Sequence, residues 1–340
     1  MITAQPLSPQ PDPATVPARW QSLWRDAIRD PRELLDLLGL AGLSGRLSDA
    51  AMAQFPLRVP RGFAARMRPG DPADPLLRQV LPVDDEDRIV AGFSHDAVGD
   101  LDARGGAGVL HKYEGRALLV ATGSCAVHCR YCFRRHFPYG EQTAAAGQWR
   151  ESLDYLAADT SISEVLLSGG DPLSLSTAKL AEFTVALAGL PHVRRLRLHT
   201  RLPVVLPERV DPGLLAWLAG LPQQVVVVIH ANHGNEIDHS VRQALGGLRQ
   251  AGATLLNQAV LLRGVNDSVE ALAGLSERLF DAGVLPYYLH QLDRVAGTAH
   301  FEVPEAESRA LLGALAARLP GYLVPRLVRE VAGAPSKQAL

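Results

Sequence analysis

The chain has 340 residues, 47% of them hydrophobic, and a formal net charge of −2, which suits one large α/β domain with extensions, or two domains. A balance this near neutral offers no general nucleic-acid-binding surface, and no stretch approaches the roughly 20 apolar residues of a membrane helix. Only 3 cysteines occur, all clustered, which argues against a disulfide framework and for a reducing, cytoplasmic setting.

Residues 1–17 are Pro-rich and polar without an apolar signal core, and read as a disordered lead-in that is not exported. A helical N-terminal extension is expected over 18–110. Trp20, Leu23, Trp24, Ile28, Leu34, Leu35 and Leu38 recur at helical spacing, broken by Asp30-Pro31, before a loop-rich stretch of prolines. Such an extension would cover something. From about Leu118 short apolar runs at 118–121, 164–168, 195–199, 225–230, 255–261 and 287–292 alternate with helix-like stretches near 146–158, 176–189, 212–219, 239–251 and 268–282. Strands alternating with helices predict βαβ units, a parallel sheet and right-handed crossovers. Six such units suit a partial (β/α)6 barrel, where chemistry collects at the C-terminal strand ends. The Cys loop, the 168–171 turn, His199, His230, Gln258 and Asp293 fall at those ends.

Cys125, Cys129 and Cys132 are spaced Cys-x3-Cys-x2-Cys. Three thiolates can hold three irons of a [4Fe-4S] cluster and leave the fourth open to a ligand that is not protein. A ferredoxin would supply a fourth cysteine, and a closed structural zinc site four protein ligands. Two other readings stay open: three thiols buried as small hydrophobes, or zinc with His128 or His136 as fourth ligand. Arg134, Arg135 and His136 follow; they could hold an anionic substrate or balance an anionic cluster. A solvated charge run is a credible reading of Arg135 and His136, less so of Arg134, two residues from a thiol.

The next strand ends in Ser168-Gly169-Gly170-Asp171-Pro172, where two glycines allow close backbone approach to a ligand or simply make a tight βα loop. His230, His233 and His239 miss the helical His-x3-His spacing of a zinc protease. They read as hydrogen-bonding histidines, with His230, ending an all-Val strand, kept as a site residue. Asn257 and Gln258 are amides in an apolar strand and need a partner, ligand or backbone. Of 34 basic side chains only Lys112, Lys179 and Lys337 are lysine, and an amine does imine chemistry that a guanidinium cannot. Lys179 reads as a surface residue of a helix. Lys337 follows a short strand and a Gly/Pro turn, with a frayed terminus as the alternative.

These motifs carry a resemblance. Tyr131 makes the loop Cys-x3-Cys-x-aromatic-Cys, which resembles the signature of the radical S-adenosylmethionine (SAM) superfamily. The stretches 125–134, 166–171, 201–210, 257–267 (Asn-Gln-Ala-Val-Leu-Leu-Arg-Gly-Val-Asn-Asp) and 286–293 resemble the lysine 2,3-aminomutase family, over roughly residues 90–337. The run from His290 to Phe301 (His-x-Leu-Asp-x-Val-x-Gly-x-x-His-Phe) and the short length resemble its elongation factor P β-lysylation branch.

The resemblance implies a TIM-type radical SAM barrel of α/β class at 111–303, followed at 304–340 by a helix and a strand carrying a pyridoxal-phosphate lysine. It implies a [4Fe-4S] cluster on Cys125, Cys129 and Cys132, with SAM at the open iron and Tyr131 against its adenine. Ser168, Gly169, Gly170 and Asp171 would meet the SAM amino group, with His230 and Gln258 beside it. Pyridoxal phosphate would attach to Lys337 and be lined by Lys112, Tyr113 and Arg116, the last on its phosphate. L-Lysine would set its α-carboxylate on Arg134 and its ε-ammonium on Asp293 and Glu330.

The implied activity is an isomerase moving the amino group of L-lysine from C2 to C3. The product, β-lysine, would be attached to elongation factor P by a separate ligase, and a flavodoxin or ferredoxin would serve as low-potential reductant. A catabolic or osmolyte lysine or glutamate 2,3-aminomutase is the alternative within the class; an iron–sulfur electron carrier or sensor is the alternative outside it. Three departures stand out. Glu330 replaces a family Asp, Lys112 stands where relatives usually carry Arg, and Ser268 stands where the catabolic enzymes carry Cys. Their C-terminal zinc-binding cysteines have no counterpart, so neither that zinc site nor the oligomer contacts of that extension are expected.

Overall fold

The computed structural model describes residues 19–106, 108–140, 143–145, 147 and 149–340; the lead-in expected at 1–17 lies outside them. One sheet of ten strands runs in chain order: β1 (Arg104–Gly106), β2 (Val109–Tyr113), β3 (Arg116–Thr122), β4 (Glu164–Gly169), β5 (Arg195–Thr200), β6 (Gln224–Ile229), β7 (Thr254–Val260), β8 (Leu285–His290), β9 (Arg326–Arg329) and β10 (Gln338–Ala339). Strands β3 to β9 pair in parallel, each with the next in sequence. The β1–β2–β3 pairings and β9–β10 are antiparallel, so β1 and β10 are the edges of an open, partial barrel. The six expected strands are β3 to β8, and the short strand before Lys337 is β9. The boundary expected at 110/111 falls inside β2, which belongs to the sheet.

The extension carries α1 (Arg19–Arg25), α2 (Pro31–Leu37), α3 (Asp49–Gln54), α4 (Arg61–Ala64) and α5 (Pro75–Arg78). Within the barrel lie α6 (Arg150–Ala158), α7 (Thr177–Leu187), α8 (Leu202–Val205), α9 (Pro212–Ala219), α10 (His239–Gln250), α11 (Val269–Asp281) and α12 (Glu305–Arg318). Their starts are chemically marked. Asp238 caps α10 at the Val241 amide (2.9 Å) and Ser268 caps α11 at the Ala271 amide (3.1 Å), each satisfying a donor the helix itself leaves open. Val241, Leu245 and Leu248, then Leu272, Leu275 and Leu279, are the buried stripes at helical spacing. Among the described residues no helix is long and apolar enough to cross a membrane.

Strand period two splits the barrel into two environments. Leu119, Val165, Leu167, Leu196, Leu198, Val227 and Ile229 are fully buried in the core, each contributing about 1.5–3 kcal/mol by burial. The alternate positions (Arg116, Leu118, Leu166, Ser168, Arg197, His199, His230, Gln258, Tyr288 and His290) line an internal cavity. A parallel strand buried on both faces reads as a continuous apolar run, and the polar interruptions mark the cavity side.

The extension does cover something. Trp20, Ile28, Leu34, Phe63 and Leu76 belong to the same core cluster as the strands. Arg66 reaches across to donate to the carbonyls of Glu236 (2.6 Å) and Val204 (2.7 Å). The backbone of the Cys loop is tied to it as well, His128 N to Arg58 O at 3.1 Å and Arg130 N to Gln79 O at 2.9 Å.

Candidate active site

The cavity is walled by inward-facing positions of β3, β4, β5, β7 and β8, by His230 just after β6, by β2, and by the turn between β9 and β10. Lys337 enters it from that turn and its amine contacts the Glu330 carboxylate, which also accepts a hydrogen bond from the Tyr113 hydroxyl. Tyr113 in turn lies under the Arg116 guanidinium, 4.6 Å from its centroid. Burial, then the bond to Glu330, pushes the Tyr113 hydroxyl above its ordinary range. Lys112 donates to the Val98 carbonyl at 2.7 Å and pairs with Asp100 at 2.6 Å. Asp100 also accepts from Arg134 Nε at 2.7 Å.

Three histidines end β5, β6 and β8. His199, His230 and His290 each have a buried Nε2 with no hydrogen-bond partner among the described residues, and burial holds all three neutral, His230 down to about 3. An unpaired buried nitrogen costs free energy, so three around one space describe a cavity built to be filled. An amine, a guanidinium and neutral ring nitrogens fit pyridoxal phosphate and an amino-acid substrate. Burial, reinforced by the Glu330 charge, raises the Asp293 carboxyl to about 7 against the opposing pull of Lys337.

Beyond the cavity wall lies the loop with the three thiols. Burial raises the Cys125 thiol well above its range, and burial together with the Cys129 sulfur raises Cys132 to about 11. Cations surround them: Arg201 Nη1 donates to Cys129 Sγ at 2.7 Å, and Arg58 to the Cys125 carbonyl at 3.1 Å. Positive charge beside three clustered thiols is the setting an anionic iron–sulfur cluster fits. Among the described residues no group of three His, Cys, Asp or Glu is arranged around a single metal ion; thiols that each take a different iron do not need to be. His128 instead faces the Pro56 carbonyl at 2.7 Å and stacks on Phe55, while His136 faces the Ala296 carbonyl at 3.1 Å and stacks on His95.

The turn after β4 fastens loops together. A Cβ on Gly170 would stand 2.5 Å from the Ser124 carbonyl oxygen, and Gly169 has φ +105°, so both positions need glycine. The Gly169 carbonyl accepts from the Tyr139 hydroxyl at 2.9 Å. Both oxygens of Asp171 are occupied, Oδ1 by Thr200 Oγ1 (2.6 Å) and Oδ2 by the amides of Arg201 (2.7 Å) and Leu202 (3.0 Å). Ser168, bonded from Arg134 Nη1 at 3.2 Å, is the member of this turn on the cavity wall.

Residues the sequence reading passed over tie the site together. Arg201 Nη1 also donates to the Tyr131 hydroxyl (2.7 Å), and Nη2 to Gln79 Oε1 (2.6 Å) and Glu236 Oε2 (2.8 Å). Glu236 further accepts from the amides of Asn232 (2.8 Å) and His233 (3.0 Å). Tyr131 sits edge-on to Phe301, with Leu262, Val265 and Leu292 in the same apolar cluster. The solvated reading of Arg135 is corrected: it is buried, donating to Glu86 Oε2 at 2.7 Å and the Arg130 carbonyl at 3.0 Å. Glu86 holds Arg130 as well, at 2.6 Å. Asn257 is satisfied by the Ala231 backbone, accepting at 2.9 Å and donating at 3.1 Å, while Gln258 lies on the cavity wall. Lys179 pairs with Glu182 on the surface of α7. His233 Nδ1 accepts from the Asn235 amide at 3.1 Å.

No family model matches the chain. Individual proteins do. The chain is 48% identical over 325 residues to the L-lysine 2,3-aminomutase of Escherichia coli, covering 94% of each chain. It is 46% identical over 318 residues to that of Haemophilus influenzae, again 94% of each. Identity to the L-lysine 2,3-aminomutase of Clostridium subterminale is 33% over 325 residues, 94% of this chain and 76% of that one. A radical SAM methyltransferase structure from Sphaerobacter thermophilus superposes at a TM-score of 0.43 with 17% identity, over 65% of this chain and 68% of that one, too distant to bear on function.

Proposed function

The chain belongs to the L-lysine 2,3-aminomutase family, and from that premise we propose that it is an isomerase converting L-lysine to β-lysine by moving the amino group from C2 to C3. What carries the reading is one cavity wall that presents an amine (Lys337), a guanidinium (Arg134) and two carboxylates (Asp293 and Glu330), set beside a loop of three thiols. When bound, a [4Fe-4S] cluster with SAM supplies a carbon radical able to take hydrogen from an unactivated carbon, and pyridoxal phosphate supplies the carbonyl that carries the migrating nitrogen.

The protein's own side chains do the rest. Cys125, Cys129 and Cys132 hold three irons; the 168–171 turn, Tyr131, His230 and Gln258 serve the SAM side. Lys337 anchors pyridoxal phosphate, Lys112 and Tyr113 flank it, and Arg116 takes its phosphate as a fork matched to phosphate oxygens. Arg134 takes the α-carboxylate of lysine, Asp293 and Glu330 its ε-ammonium. Two carboxylates at that end support lysine over glutamate, whose distal group is an anion. The extension over the Cys loop keeps water from the reacting centre.

A role in supplying β-lysine for elongation factor P is supported by the 290–301 run. The unpaired thiols support a cytoplasmic setting, and an external low-potential reductant such as flavodoxin or ferredoxin completes the scheme. Anaerobic incubation of reconstituted protein with SAM, pyridoxal phosphate, dithionite and isotopically labelled L-lysine tests the activity. β-Lysine by mass spectrometry is the expected product; deoxyadenosine without β-lysine would retain the radical chemistry and overturn the substrate.

Ionised Asp293 is the form that attracts an ammonium, and its carboxyl titrates at about 7. A group raised in this way is neutral below its own pKa, so lysine binding weakens as pH falls. The KM for lysine is expected to rise roughly fivefold from pH 7 to pH 6, set by the ionised fraction, and to level off on the alkaline side. A pH profile of KM that is flat through this range, or that survives Asp293→Asn unchanged, would overturn the assignment of Asp293.

A further inference from the structure

The guanidinium assigned above to the substrate carboxylate is already engaged. Arg134 Nε donates to Asp100 Oδ2 at 2.7 Å and Nη1 to Ser168 Oγ at 3.2 Å. A guanidinium offers a carboxylate two two-pronged edges, Nε/Nη2 and Nη1/Nη2, and here each edge has one prong taken. The other oxygen of Asp100 holds Lys112 Nζ at 2.6 Å. Thus one carboxylate, 2% exposed, bridges two cavity cations.

An incoming α-carboxylate and Asp100 repel each other across Arg134, so the arriving anion displaces the resident one. The exchange leaves nothing buried unpaired, because Lys112 keeps Asp100 while Arg134 takes the substrate. Asp100 sits on a turn before β1, its amide held by the Asp96 carboxylate at 2.9 Å, so it can yield without breaking a strand ladder.

We propose that Asp100 is the internal counter-anion of the substrate carboxylate site, displaced from Arg134 by the α-carboxylate of L-lysine, and that it thereby sets lysine affinity. This rests on the reading of Arg134 given above. A diamine lacking the carboxylate brings nothing to displace Asp100 and leaves the bridge closed.

Equilibrium binding of labelled L-lysine to cluster- and pyridoxal-phosphate-loaded protein, without SAM so that nothing turns over, provides the test. D100N and the charge-balanced double variant D100N/K112Q are expected to bind lysine about tenfold tighter, one charge-assisted hydrogen bond no longer having to be broken. Acetate is expected to raise the melting temperature of D100N and not that of the unsubstituted protein. Unchanged or weaker lysine binding in both variants overturns the inference. R134Q is expected to lose lysine binding; if it binds as before, the reading of Arg134 falls and this inference with it.

Discussion

Lys337→Ala is expected to yield a protein that keeps its iron but holds no pyridoxal phosphate after desalting, with turnover reduced by at least about a thousandfold. The separation follows from placement. The three thiols lie on the loop after β3, whereas Lys337 sits between β9 and β10, where its side-chain contact is Glu330. Removing the amine deletes the only lysine side chain besides Lys112 on the cavity wall, and Lys112 is held by Asp100 and the Val98 carbonyl. Absorbance of the bound cofactor, iron content and β-lysine formation are measured on one preparation. Retained turnover, or retained cofactor absorbance, would sink the assignment of Lys337.

The second large effect is on stability. Burial pushes the Glu236 carboxylate up, and Arg201, together with the Asn232 amide and Gln79, more than reverses it, holding the group below its ordinary range. Arg201→Met leaves that charge at 0% exposure with only amide donors, and breaking one side of a buried pair costs about 3–5 kcal/mol. Cys129 and Tyr131 lose their shared cation, and Gln79 loses one of its ties to the barrel while keeping those to Glu236 and Asn232. Denaturant unfolding of the variant is therefore expected to show a loss of this size together with lower iron content after reconstitution. A loss under about 1 kcal/mol, the range of an exposed ion pair, would show that Arg201 is not the hub.

The sequence disclosed what local signals can disclose. Three cysteines within eight positions, a single lysine after a Gly/Pro turn, and apolar runs alternating with helical stripes are read in short windows. They pointed to the thiol loop, Lys337 and the order of strands β3 to β8. Period two in a strand also meant that Asn257 and Gln258 face opposite ways, so that only one of them could reach the cavity. Arg201, Glu236, Gln79 and Asp100 carry no such mark. Each is a common residue type whose partner lies far along the chain, 35 residues away for Arg201 with Glu236 and 122 for Arg201 with Gln79. Burial likewise distinguishes Arg135 from a solvated neighbour, and burial is a property of the folded chain.

The cover formed by the extension imposes an order in time. The extension is made before the barrel, yet Arg66 finds its acceptors 138 and 170 residues downstream, and Gln79 meets Glu236 after 157. Until Val204, and then Glu236 beyond β6, have been made, Arg66 and Gln79 lack these acceptors, so complete docking of the extension waits on strands made after it. The backbone ties from Arg58 and Gln79 to the Cys loop close over the thiols once docking is complete. Access of iron and sulfide to the thiols is therefore expected to be wider before the extension docks than after it.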